Sequence, residues 1–178
     1  MRLLKMLPIV GLCAASFMSA SAVADHHGVE ININIADQPL VKIINAESGL
    51  CLDATSEGGF VQQSKCDKKL QAQLWTIKGD RIVNGHWKKQ CLDIYVIKAG
   101  KKKLPWLNTV QTDACEDWKK AQTWVIPKEK KGKGKKGLLK NKYTGQCLVA
   151  PGKRPLGPVK ARECKPVHAG FAVWKVVE

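Results

Sequence analysis

The chain has 178 residues, 44% of them hydrophobic, and 30 Lys and Arg against 15 Asp and Glu give it a formal net charge of +15. That length suits one ordinary domain, and the apolar content with six Trp excludes a disordered chain. Residues 1–24 have the form of a removable leader, which excludes a cytosolic enzyme. A basic start (Arg2, Lys5) runs into the apolar stretch Met6 to Met18 and then small residues ending Ala22-Val23-Ala24. The stretch is broken by Pro8 and is shorter than the ~20 residues of a membrane span. Cleavage after Ala24 predicts a secreted or periplasmic protein in which six cysteines, an even number, meet an oxidising compartment.

The basic excess is unevenly placed. Residues 25–79 carry five basic and seven acidic groups, whereas residues 127–178 carry fourteen against three. The charge therefore belongs mainly to the last third of the chain.

A repeat organises the rest. Cys66, Cys115 and Cys164 are spaced by 49 and 49 residues, and Trp75, Trp124 and Trp174 by 49 and 50. Cys51, Cys91 and Cys147 open the same units, and Asn45, Asn84 and Asn141 precede them by six, seven and six residues. The two cysteines of a unit lie 15, 24 and 17 positions apart, so the length variation falls in one surface loop. The repeat selects pairing within units: Cys51–Cys66, Cys91–Cys115 and Cys147–Cys164. A zinc site is the rival use of these thiols, but no Cys-x-x-Cys spacing supports it.

The predicted elements are short strands. In unit one they are Leu40 to Asn45, Cys51 to Ala54, Phe60 to Ser64 and Leu74 to Lys78. Unit two repeats them at Arg81 to Asn84, Cys91 to Val96, Thr109 to Gln111 and Thr123 to Ile126. Unit three repeats them at Leu138 to Asn141, Cys147 to Ala150, Val159 to Arg162 and Phe171 to Val177. No window sustains a helical period. Twelve strands in three units bury one core most economically as a closed, pseudo-threefold barrel.

The pattern Cys-Leu-Asp … Cys … Gln-x-Trp resembles the ricin-type β-trefoil lectin domain. Gln73-Leu74-Trp75 and Gln122-Thr123-Trp124 match its closing motif, while Ala172-Val173-Trp174 departs from it. The resemblance implies an all-β trefoil over residues 39–178, of three four-stranded units at about 39–79, 80–127 and 137–178, after an extension at 25–38. It also implies a carbohydrate-binding protein without catalysis or cofactor.

In that family a unit's sugar site joins the Asp after the first Cys to a supporting Gln four residues before the second. An aromatic stands two before the second Cys, and an Asn just before Gln-x-Trp. The implied carbohydrate-binding residues are Asp53 and Gln62 in unit one and Asp93 and Gln111 in unit two. Ser64 and Asp113 stand where the aromatic belongs, and Ala72 and Ala121 where the Asn belongs. Unit three has Val149, Lys160, Arg162 and Phe171, which implies a lost site. Asp53 and Asp93 could instead hold a turn through local hydrogen bonds. The repeated Trp residues read as core. Trp106, in the longest loop, could supply a stacking surface or cap the barrel, and Trp87 and Trp118 fall outside the repeat.

Two further features point to partners. Lys101, Lys102 and Lys103, with Lys128, Lys130, Lys131, Lys133, Lys135 and Lys136 in a Gly-containing stretch read as a flexible surface loop, could bind an acidic polysaccharide or lipopolysaccharide. A solvated surface is the alternative, and nucleic acid is the least favoured polyanion because the leader predicts secretion; no interleaved aromatics suggest base stacking either. Val29 to Ile35 alternates strictly and could add a strand to a protein partner, as in the binding subunit of a multi-subunit toxin, or pack on its own domain. No Ser/His/Asp or Cys/His set and no metal-ligand spacing is present, so neither a catalytic nor a metal site is expected.

Overall fold

The computed structural model describes residues 38–96, 98–99, 102–103, 109–130, 134–166 and 169–178. The segments 1–24 and Val29 to Ile35, together with Trp106, Lys101, Lys131 and Lys133, lie outside them.

Unit one holds β1 (Leu40–Asn45), β2 (Cys51–Ala54), β3 (Val61–Ser64) and β4 (Leu74–Lys78). Unit two holds β5 (Arg81–Asn84), β6 (Gln90–Tyr95), a small hairpin of β7 (Lys98–Ala99) and β8 (Lys102–Lys103), β9 (Thr109–Ala114) and β10 (Trp124–Val125). A hairpin of β11 (Glu129–Lys130) and β12 (Gly134–Leu138) leads into unit three. That unit has β13 (Lys140–Asn141), β14 (Cys147–Val149), β15 (Gly157–Pro158), β16 (Lys160–Arg162), the helical turn α1 (Ala169–Ala172) and β17 (Val173–Val177). This is the expected all-β trefoil. Among the described residues no helix is long and apolar enough to cross a membrane.

The barrel closes by one contact repeated three times. Trp75 pairs across the ladder with Asn84, Trp124 with Asn141, and Trp174 with Asn45, so the last strand of each unit meets the first of the next and the third returns to the first. Each indole is fully buried, and its N–H must find an acceptor inside the core. Trp75, Trp124 and Trp174 donate to the carbonyls of Leu52, Leu92 and Leu148 at 3.0, 2.9 and 2.9 Å. Each Asn, also fully buried, locks its own turn. Asn84 Oδ1 accepts from the backbone N–H groups of His86 and Trp87, and its amide donates to the Ala72 carbonyl. Asn45 and Asn141 make the same bonds, to the carbonyls of Phe171 and Ala121. Ile43, Leu52, Ile82, Leu92, Leu139 and Leu148 fill the space between the indoles.

The turn before the first Cys needs a left-handed residue two positions ahead of it. Gly49 and Gly145 supply it with φ of 69° and 72°, but unit two uses Lys89 at 73°. The three disulfides pair within units as expected, Cys51–Cys66, Cys91–Cys115 and Cys147–Cys164.

Three expectations are corrected. Residues 171–172 end α1 and do not start a strand, because this segment is the counterpart of the 3-10 turns Gln71–Gln73 and Lys120–Gln122 that precede β4 and β10. The segment Leu138 to Asn141 is two strands, with the buried Leu139 between them. The lysine-rich stretch is no flexible loop where it is described: β12 pairs with β17, placing Lys136 opposite Lys175. Backbone hydrogen bonding to a sheet edge outweighs the solvent preference of its lysines.

Candidate functional site

Two clefts occupy related positions in units one and two. The β2–β3 ladder sets Asp53 opposite Gln62, and the β6–β9 ladder sets Asp93 opposite Gln111. Each Asp is only 6% exposed and forms a cleft floor, while the Gln residues are half-buried.

The cleft over Asp53 measures about 580 Å³ and is lined by Gln62, Lys69, Gln71, His86 and Trp87, among others. Its far wall belongs to unit two. His86 and Trp87 follow the Asn84 turn and meet edge to face, with ring centroids 4.7 Å apart. Ser64, where an aromatic was expected, donates its hydroxyl to Asp53 Oδ2. Gln73, the Gln of Gln-x-Trp, donates to Ser64 Oγ at 2.6 Å, to the Lys65 carbonyl at 2.9 Å and to Asp53 Oδ2 at 3.4 Å. These partners are 11 and 20 positions from Asp53 in the chain, so this carboxylate does not serve a local turn. Ser64 and Gln73 take the support expected of Gln62, which is left facing the cleft.

The cleft over Asp93, about 480 Å³, is lined by Tyr95, Trp118, Lys119, Lys120, Ala121 and Tyr143. Asp113 stands opposite Cys91, the ladder position that Ser64 holds opposite Cys51. Unit two thus replaces a hydroxyl donor with a second carboxylate. Gln122 keeps the backbone bonds of Gln73, donating to the Ala114 carbonyl and accepting from the Glu116 N–H, and also accepts from Arg81; it donates no hydrogen bond to Asp93 or Asp113. Asp93 Oδ1 is left buried without a hydrogen-bond partner. Burial, then the charge of Asp113, push the Asp93 carboxyl up to about 6, against weaker pulls from the Ile94 backbone N–H, Lys119 and Gln111.

Lys119 answers the other acids. Its ammonium lies 2.9 Å from both Asp113 and Glu116 and 5.4 Å from the Trp118 ring centroid. Burial opposes its charge, but the bonds to Asp113 and Glu116 hold it above the ordinary lysine value. Trp118 is 73% exposed, Tyr95 57% and Tyr143 46%, so three partly exposed aromatic residues surround one carboxylate.

Sequence reasoning sought the aromatic at positions 64 and 113 and missed these walls. Two signals were present. Trp118 and Lys69 each lie four residues before the motif Gln, and His86 and Tyr143 each lie two residues after the unit Asn.

The third position is closed. Val149 replaces the Asp and Ala172 the Gln, and with Cys147 and Phe171 they form an apolar cluster. Val149 faces Lys160, and Cys147 faces Arg162. Neither polar partner is present, so no carboxylate is stranded there. Among the described residues no three His, Cys, Asp or Glu gather as metal ligands.

The sequence profile of the ricin-type β-trefoil lectin domain matches residues 41–124. That span ends on the Trp that closes unit two, the last unit with an Asp and a Gln-x-Trp. No curated protein sequence matches the chain. Solved structures share its fold at low identity. A designed three-fold symmetric protein, ThreeFoil, superposes with a TM-score of 0.61 at 17% identity, covering 78% of this chain and 98% of that one. A Macrolepiota procera ricin B-like lectin, solved with lactose, gives 0.57 at 15% identity, covering 79% and 96%. A mosquitocidal holotoxin gives 0.63 at 16% identity over 82% of this chain, which spans only 18% of the toxin's length. Residues 41–124 are thus a ricin-type β-trefoil lectin-domain sequence, and the third unit closes the same fold.

Proposed function

We propose that this is a secreted or periplasmic lectin, released by cleavage after Ala24, that binds glycans without chemical turnover at the Asp53 and Asp93 clefts. The observation that carries the reading is the repeated floor: a buried carboxylate opposite a Gln in two units, each under an aromatic wall. A carboxylate accepts from paired sugar hydroxyls, and a ring face covers the apolar side of a pyranose. The lactose complex of the Macrolepiota lectin supports a galactoside as the first ligand to test.

The experiment is a glycan array followed by titration of the best ligand into wild type, Asp53→Asn, Asp93→Asn and the double variant. Each single variant should lose one site and the double variant all binding while still folded. Undiminished binding by the folded double variant would overturn the assignment.

A second reading, capture of an acidic polysaccharide, is favoured by one observation: Lys136 and Lys175, both exposed, stand directly opposite each other on the outer wall. Like charges so placed repel, and a bound polyanion would relieve them.

A further inference from the structure

We propose that the Asp93 cleft selects sugars carrying a free amine, recognising the ammonium group rather than a neutral hydroxyl at that position. The inference rests on this cleft being a sugar site and says which sugars it prefers.

Three features of the cleft converge on a cationic ligand. The first is the buried Asp93 Oδ1, which no well-formed hydrogen bond reaches, the Ile94 N–H and Gln111 giving this carboxyl only weaker pulls. A buried, unpartnered carboxylate oxygen is costly, and a ligand donor inserted there recovers the cost. The second is the local balance of charge. Asp113 and Glu116 hold the one nearby ammonium, that of Lys119, which reaches Asp93 only through its field, while Lys120 is exposed at the rim where water screens it. Burial first, and Asp113 second, push the Asp93 carboxyl up, and a cation placed beside it would oppose both. The third is the rim of Trp118, Tyr95 and Tyr143, whose ring faces attract cations. Lys119 already illustrates the arrangement, an ammonium between two carboxylates and an indole face.

The Asp53 cleft serves as an internal contrast. There Ser64 replaces the second carboxylate and satisfies Asp53 Oδ2, and Lys69 and His86 line the walls. Nothing in that arrangement favours a cation over a hydroxyl. The whole chain carries a formal charge of +15, so long-range fields disfavour a cationic ligand and any amine preference must come from the cleft itself.

The test titrates galactosamine, galactose and N-acetylgalactosamine, and the corresponding gluco series, into an Asp53→Asn background at pH 7. Acetylation removes the charge while keeping the nitrogen. In at least one series the free amine should bind at least tenfold more tightly than both neutral partners. Asp113→Ser, which copies unit one, should cut that ratio several-fold. Should Asp53→Asn fail to fold, the Trp118 indole resonance of the wild-type protein reports the same cleft. Equal or weaker binding of the amine in both series would overturn the inference and leave the lectin reading standing. Binding of none of the six sugars would overturn both.

Discussion

Ser64 donates its hydroxyl to Asp53, and the residue in the corresponding position of the next unit, Asp113, can only repel Asp93. One ladder position thus decides whether the floor carboxylate meets a hydroxyl donor or a second charge. The two clefts share a backbone plan and differ in electrostatics.

The first expected outcome concerns Ser64 itself. Ser64→Ala removes the hydroxyl donor and leaves Asp53 with the longer Gln73 contact at 3.4 Å. Stranding part of a buried carboxylate costs about 1–3 kcal/mol. Chemical denaturation should show that loss with an unchanged m-value. Ligand affinity at the Asp53 cleft should fall as well, because the carboxylate loses its orientation. A variant as stable as wild type would show that water replaces the hydroxyl.

Asp93 gives an outcome of opposite sign. Its folded carboxyl keeps a proton up to about 6, whereas the unfolded chain releases it near 3.8. Between these values the native state binds more protons than the unfolded one, so stability falls as pH rises through the window. Above it the cost is about 3 kcal/mol, at 1.36 kcal/mol for each pH unit of separation. Asp93→Asn should therefore be more stable than wild type at pH 7, and the two should converge below pH 4. Thermal melts of both proteins from pH 3.5 to 7.5 read the difference directly. A constant offset across that range would contradict the electrostatic account.

The sequence period was enough to place Trp75, Trp124 and Trp174 in the core and to pair the cysteines, because a repeated contact leaves a repeated residue. The buried Asn residues were visible as markers, though not their ladder partners. The cleft walls were hidden for a topological reason. Trp87 and Tyr143 belong to the unit after the Asp they flank, and a reading made unit by unit does not cross that boundary. The Lys-Gly stretch was misread because composition reports solvent preference, whereas β12 forms through backbone pairing with the exposed edge of β17. In unit three the loss of Asp and Gln was legible, but not that Val149 and Ala172 pack together in their place.

That apolar replacement carries its own expected outcome. Val149→Asp restores the family residue but buries a carboxylate among Cys147, Phe171 and Ala172, which offer no side-chain donor. The variant should lose about 3 kcal/mol or more at pH 7. The loss should shrink in acid, where the carboxyl is neutral. Adding Ala172→Gln should recover part of it, since Gln73 makes that bond to Asp53. Equal stability of the single variant and wild type would mean that water reaches this position.

The outer wall separates two kinds of binding by their response to salt. Lys136 on β12 faces Lys175 on β17, and Lys42 follows on β1, opposite Val177. Contacts from these lysines to a polyanion act between solvated charges, whose screening length is about 8 Å at 0.15 M salt and roughly 3 Å at 1 M. Retention on heparin should be strong at low salt and fall steeply as salt rises. The proposed sugar binding in the Asp53 cleft would work through short hydrogen bonds to neutral hydroxyls and should hardly change over the same range. Lys136→Ser with Lys175→Ser should then elute from heparin at lower salt while keeping neutral-sugar affinity. Because β12 is held by backbone bonds, these exchanges leave the sheet in place, and melting curves should show stability equal to wild type or higher once the like charges are gone. Elution at the wild-type salt concentration would assign heparin retention to other lysines, Lys101–Lys103 first among them.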